Sequence, residues 1–259
     1  MLLENKVAIV SGIGPGLGQE LAYVFARQGA KIAISCRTQS VLDRVAGEIR
    51  DGGHEVITVP TDVTDRAQCK RLVDATIDAY GRVDALVNSA YNPGEFALFE
   101  DANLDDWRGP FEVNVLGTMR LTQEVVPHMK AAGGGAIVNV NSMIHRKPLP
   151  MQAPYATSKG ALEAATKMLA KELGPFKIRV NSVFMGWMWG PPVQGYVSMS
   201  AQARGIPEAD VVAEITRDIP LGIVPDDADC ANAVAFLCSD LARVITGAGL
   251  DVNGGEFMP

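Results

Sequence analysis

KVAIVSGIGPGLGQELAYVFARQGAKIAISCR, residues 6–37, passes from an apolar β-branched run through four glycines into an amphipathic run. Strand, glycine turn and helix follow one another, the context in which a glycine pattern carries information. Gly12 makes the tight turn, Gly16 removes the side chain where a pyrophosphate would approach, and Gly18 lets helix and strand pack closely. The helix N-terminus then offers free N–H groups and a partial positive charge to phosphate. No Lys follows the glycines, which argues against a P-loop nucleotidase.

The same rhythm continues outward. Apolar runs at 6–11, 30–35, 55–60, 84–89, 136–141, 178–184 and 250–253 predict seven strands. Helical spacing fills 17–28, 39–51, 65–80, 111–131, 155–173 and 226–239, with glycines at several of the ends. Strands apolar along their whole length need cover on both faces, which right-handed strand–helix–strand crossovers supply. The expected fold is α/β, a Rossmann-type doubly wound parallel seven-stranded sheet with helices on both faces. No Pro- or Ser-rich linker divides the chain, so residues 1–259 read as one domain. The stretch from about 185 to 215 breaks the rhythm and reads as irregular, with a substrate lid around 187–215.

Composition narrows the function classes. The chain has 259 residues, is 47% hydrophobic and 20% charged, and carries a formal net charge of −7. With no basic stripe, nucleic acid and anionic membrane are not expected partners. No run of ~18 apolar residues and no signal-peptide pattern is present, so a cytoplasmic location is expected. Cys36, Cys69, Cys230 and Cys238 lack metal or redox spacing, and His54, His128 and His145 match no metal motif; no metal is expected. The absence of G-x-S-x-G argues against a hydrolase.

The spacing of Gly12, Gly16 and Gly18, read as G-x-x-x-G-x-G after Ser11, resembles the short-chain dehydrogenase/reductase family, whose single-domain members run to about this length. The resemblance covers the whole chain, to the closing GLDVNGG at 249–255. It implies a nicotinamide dinucleotide held by Gly12, Gly16, Leu17, Gly18, Asp62, Val63, Asn88, Ala90 and Gly186, together with Tyr155 and Lys159. By the same resemblance Asp62 meets the adenine amino group, although a turn or cap role is its alternative. At the tip of the second strand stand Cys36 and Arg37 rather than an acid. A guanidinium there accommodates a ribose 2′-phosphate, which favours NADP(H), with NAD(H) as the alternative.

Tyr155 and Lys159 lie four apart on a predicted helix, hence on one face. A phenol of ordinary pKa near ~10 gains acidity beside an ammonium, so Tyr155 is expected to serve as general acid in ketone reduction and general base in alcohol oxidation. Ser142 lies thirteen positions earlier, the spacing of the family it resembles, and that resemblance implies a hydroxyl that holds the substrate oxygen. The resemblance adds Asn114 as a fourth catalytic position, in a proton relay through water. The expected activity is NAD(P)H-dependent interconversion of a secondary alcohol and a ketone. Reduction of 3-ketoacyl thioesters, or a non-catalytic dinucleotide-sensing or scaffold role, is the alternative.

Departures from the family pattern fall around the substrate. Ser89 and Tyr91 replace its usual Asn and Gly, with Tyr91 adding bulk beside the substrate. Met185 stands where a Pro is usual, and the Thr a few residues later is missing. Trp187, Met188, Trp189, Tyr196, Val197 and Met199 offer an adaptable apolar wall, suited to a bulky apolar, steroid-like or cyclic substrate or else to packing a lid. The resemblance also implies a homo-oligomer, a tetramer or dimer, paired through 111–131 and 155–173.

Overall fold

A computed structural model describes all 259 residues. Along the chain come β1 (Val7–Ser11), α1 (Leu17–Arg27), β2 (Lys31–Ser35), α2 (Gln39–Asp51), β3 (Val56–Thr58), α3 (Arg66–Tyr80) and β4 (Ala85–Asn88). A short α4 (Arg108–Pro110) and a π-helical segment (Phe111–Gly117) then lead into α5 (Thr118–Ala131), β5 (Gly135–Ser142), α6 (Ala153–Leu173) and β6 (Ile178–Met185). The chain closes with α7 (Pro191–Arg204), α8 (Glu208–Thr216), α9 (Asp227–Cys238) and β7 (Gly249–Val252).

All strands are parallel, in the order β3-β2-β1-β4-β5-β6-β7. The seven expected strands and the doubly wound sheet are therefore present. Successive strand residues point to opposite faces, and both faces are apolar. Ala8, Val10, Ile32, Ile34, Ala85 and Val87 join the core on the side of α1, α2 and α9. Ile9, Ala33, Leu86, Ile137 and Val180 join the core on the side of α3, α5 and α6. β1 pairs with β2 on one side and β4 on the other, so the crossovers change direction there and a crevice opens beyond the strand C-termini.

The stretch read as irregular is instead a helical pair. Pro191 and Pro192 open α7, and Gly205 ends it with φ of 64°, in the left-handed region. Val197, Ala201, Val211, Ile215 and Ile219 form a separate apolar cluster between α7 and α8, with Val193 packed against it. Their i, i+4 spacing was visible in the sequence but was masked by the Trp-Gly-Pro-Pro entry at 189–192. No helix is long and apolar enough to cross a membrane.

Leu86 is fully buried in central strand β4. Leu86→Ala is expected to cost about 2–5 kcal/mol, read as a lowered midpoint in urea unfolding.

Candidate active site

The glycine turn follows directly from β1. At Gly12, φ is 96° and any Cβ would overlap the backbone of Ser89 and Ala90 at the end of β4. A Cβ on Gly18 would overlap the Gly12 carbonyl, so α1 could not sit down on its strand. Gly16 is the N-cap of α1 and has no side chain to cap it. The N–H groups of Leu17 and Gly18 consequently find no acceptor in the protein. These free donors at a helix N-terminus fit a diphosphate.

Two adjoining cavities share this turn. The larger, about 680 Å³, is bordered by Gly12, Arg37, Asp62, Val63 and Ala90. Arg37 is exposed there and makes no ion pair within the chain. The Asp62 Oδ1 accepts from the Thr64 N–H at 2.9 Å and its hydroxyl at 2.7 Å, so one carboxylate oxygen is committed to a turn. The smaller cavity, about 230 Å³, takes in Gly16, Leu17, Gly18, Ser142, Tyr155 and Lys159. Tyr91, Gly186, Trp187, Met188, Val193 and Asp227 complete its walls.

β5 and α6 bring the reactive side chains together. Ser142 ends β5; its Oγ accepts from the Ile144 N–H at 3.2 Å, and its hydroxyl has a long 3.4 Å contact to the Met185 carbonyl and also interacts with the Tyr155 hydroxyl. Tyr155 and Lys159 stand one turn apart in α6, with the Lys159 Nζ 5.6 Å from the Tyr155 ring centroid. Tyr91 meets the Tyr155 ring edge-on at 6.4 Å. Lys159 is only 2% exposed and donates to the Val140 carbonyl at 2.8 Å.

Burial dominates the ionisation of this pair. Burial holds the Tyr155 hydroxyl well above the ordinary phenol range, opposed only in part by the Ser142 hydroxyl. Burial also lowers Lys159 to about 7. Desolvation disfavours both charged forms, and the ammonium is engaged by a backbone carbonyl.

Two expected site residues stand behind the cavities rather than in them. The Asn88 side chain donates to Asn139 at 3.0 Å and Thr122 at 3.3 Å, inside the β4–β5–α5 layer. Its period-2 alignment with Leu86 points it there. Asn114, fully buried in the π-helical segment, accepts from the Asn92 N–H at 2.7 Å. It also donates to the Asn92 carbonyl at 2.9 Å and the Ser158 hydroxyl at 2.8 Å. It ties the loop after β4 to α6. Of the expected apolar wall, Trp187 and Met188 reach the cavity, Tyr196 stacks against Trp187 at 5.4 Å, Val197 packs between α7 and α8, and Met199 is exposed.

Sequence reasoning missed Asn141 and Asp227. The Asn141 Nδ2 donates to the Lys159 carbonyl at 3.1 Å, and its Oδ1 accepts from the Ser142 N–H at 2.9 Å. It braces both reactive residues, and its place in NVNS beside Ser142 was the only signal. No group of three or more His, Cys, Asp or Glu residues is arranged to hold a metal ion.

A family model described as Enoyl-(Acyl carrier protein) reductase matches residues 12–256. An uncharacterized oxidoreductase of Methylorubrum extorquens is 36% identical over 98% of both chains. The 3-oxoacyl-acyl-carrier-protein reductase FabG of Thermotoga maritima is 33% identical over 98% of this chain and 99% of its own. The crystal structure of L-sorbose reductase from Gluconobacter frateurii, complexed with NADPH and L-sorbose, superposes with a TM-score of 0.94 at 28% identity, covering 100% of both chains. Fold, site and these likenesses define an oxidoreductase that uses a nicotinamide dinucleotide. Within that class, the chain belongs to the short-chain dehydrogenase/reductase family.

Asn114→Ala removes partners from the Asn92 backbone and Ser158. It is expected to cost roughly 1–3 kcal/mol for each group left buried and unsatisfied, seen as a lower denaturation midpoint.

Proposed function

We propose that this chain interconverts a bulky apolar ketone and its secondary alcohol, with NADP(H) as the preferred cofactor. The observation that carries the reading is one cavity: Ser142, Tyr155 and Lys159 share it with the phosphate-type glycine turn and with Tyr91, Trp187, Met188 and Val193. The bound nicotinamide supplies or removes the hydride, and the protein orients it and handles the proton.

Each reactive side chain has a role that its surroundings support. The Ser142 hydroxyl, in contact with that of Tyr155, turns to the substrate oxygen, stabilising the charge that develops there. Burial keeps the proton on Tyr155 at neutral pH, the form a ketone reduction needs for donation to that oxygen. Lys159, at about 7, can take or give a proton near neutrality while the Val140 carbonyl anchors it. The wall from Trp187 to Val193 covers the substrate side and excludes water as a lid. The relatives act on different substrates, so the apolar wall, not family membership, supports the apolar class. A 3-ketoacyl thioester is the second reading, favoured by the likeness to the ketoacyl reductase of Thermotoga maritima.

Tyr155→Phe is expected to lower turnover of a cyclic-ketone panel by about a hundredfold or more, the range of general acid catalysis, with dinucleotide binding retained. Undiminished turnover would remove Tyr155 from the mechanism. Faster NADPH oxidation with a 3-ketoacyl thioester than with any cyclic ketone would select the second reading.

Arg37 is exposed, unpaired and beside the larger cavity, and no acid stands at the tip of β2; both features support a 2′-phosphate. Arg37→Ala is expected to weaken NADPH roughly tenfold to a hundredfold, the loss of one charge-assisted contact, and to leave NADH nearly unchanged. Equal losses for both cofactors, measured by fluorescence titration, would overturn the NADP assignment.

A further inference from the structure

Asp227 is the first residue of α9 and is only 8% exposed, yet no hydrogen bond or cation holds its carboxylate. It borders the smaller cavity. A Cβ placed on Gly16 would lie 3.2 Å from its Oδ2, so the carboxylate sits against the turn where α1 begins. A Cβ on Gly190 would overlap the same oxygen. The carboxylate thus occupies the space into which a side chain at 190 would project. With no partner in the protein, its oxygens face only the cavity, beside free helix N–H groups. An acid there is the reverse of what an anion site ordinarily presents.

We propose that Asp227 governs dinucleotide affinity through a proton: the protonated carboxyl admits the diphosphate, and the carboxylate repels it. This inference rests on the dinucleotide-dependent reading given above and adds a residue to it. The charged groups facing Asp227 are all acidic. α1 contributes Glu20, the N-cap of α9 is Asp226, and the covering segment from Gly186 to Val193 contains no charged residue. Desolvation, with Glu20 and Asp226 adding to it, pushes the Asp227 carboxyl up to about 6. A diphosphate at Gly16 adds further negative charge nearby, so the group rises again on binding and takes up a proton. The sign follows from linkage: the form that binds more protons is the liganded one, so affinity falls as pH rises above about 6.

The test measures binding rather than turnover. NADP⁺ and NAD⁺ affinities of the wild-type chain and of Asp227→Asn are compared from pH 5.5 to 8 by fluorescence titration. Calorimetry in two buffers of different ionisation enthalpy counts the protons taken up. The wild type is expected to lose about tenfold in affinity relative to Asp227→Asn across this range, and to take up more protons than Asp227→Asn when it binds NAD⁺. Comparing the two proteins cancels the titration of the NADP⁺ 2′-phosphate and of Lys159, which borders the same cavity and titrates at about 7. Parallel pH profiles, or equal proton uptake by the two proteins with NAD⁺, would overturn the assignment while leaving the oxidoreductase reading intact. If Asp227→Asn does not fold, Asp227→Ser takes its place in the same comparison. Failure of both proteins to bind either dinucleotide at any pH would overturn the cofactor reading and this inference with it.

Discussion

Everything at the reactive centre depends on how α6 is fixed against the sheet. The Asn139 side chain donates to the Thr166 hydroxyl at 2.9 Å, and that hydroxyl pairs with Ser182 on β6 at 2.9 Å. About two turns nearer the site, Asn141 reaches the Lys159 carbonyl. These groups are buried, so each bond forms where water cannot substitute and a missing partner is costly. A rotation of α6 by one residue, about 100°, would break the set and turn Tyr155 and Lys159 off the cavity. The polar rivets therefore specify the helix azimuth that an apolar interface alone would leave loosely defined.

The same seclusion sets the ionisation of the site. Tyr155 rises, Lys159 falls and Asp227 rises, in each case chiefly because burial penalises the charged form. Burial thus moves all three toward their neutral forms, although at neutral pH Asp227, at about 6, is still mostly carboxylate and Lys159, at about 7, is about half ammonium. The free N–H groups of Leu17 and Gly18 are the fixed positive element at the turn, ready to meet a ligand's charge.

Much of this architecture could be read from the chain because it rests on local periodicity. The apolar alternation of β1, β2, β4 and β5 and the glycines at 12, 16 and 18 fix the sheet and its crevice with no tertiary information. Tyr155, Lys159 and Ser142 were legible because helical spacing and a strand end define their directions. Asn88 and Asn114 were assigned to the site by resemblance, and their geometry puts them in supporting layers. Asp227 was illegible because it lies more than two hundred residues from the turn it touches, and no spacing rule links them. The ionisation of the Tyr155 and Lys159 pair could not be read either, since spacing gives proximity and says nothing about solvent.

The cluster between α7 and α8 shares none of its five buried members with the two cores that sandwich the sheet. Stability is distributed in cooperative units, and a unit with so small an interior opens at lower free energy than the body carrying it. Opening of this unit leaves every strand pairing in place, since none of its buried members belongs to the sheet. Amide exchange within 191–216 is accordingly expected to be faster than that of the strands.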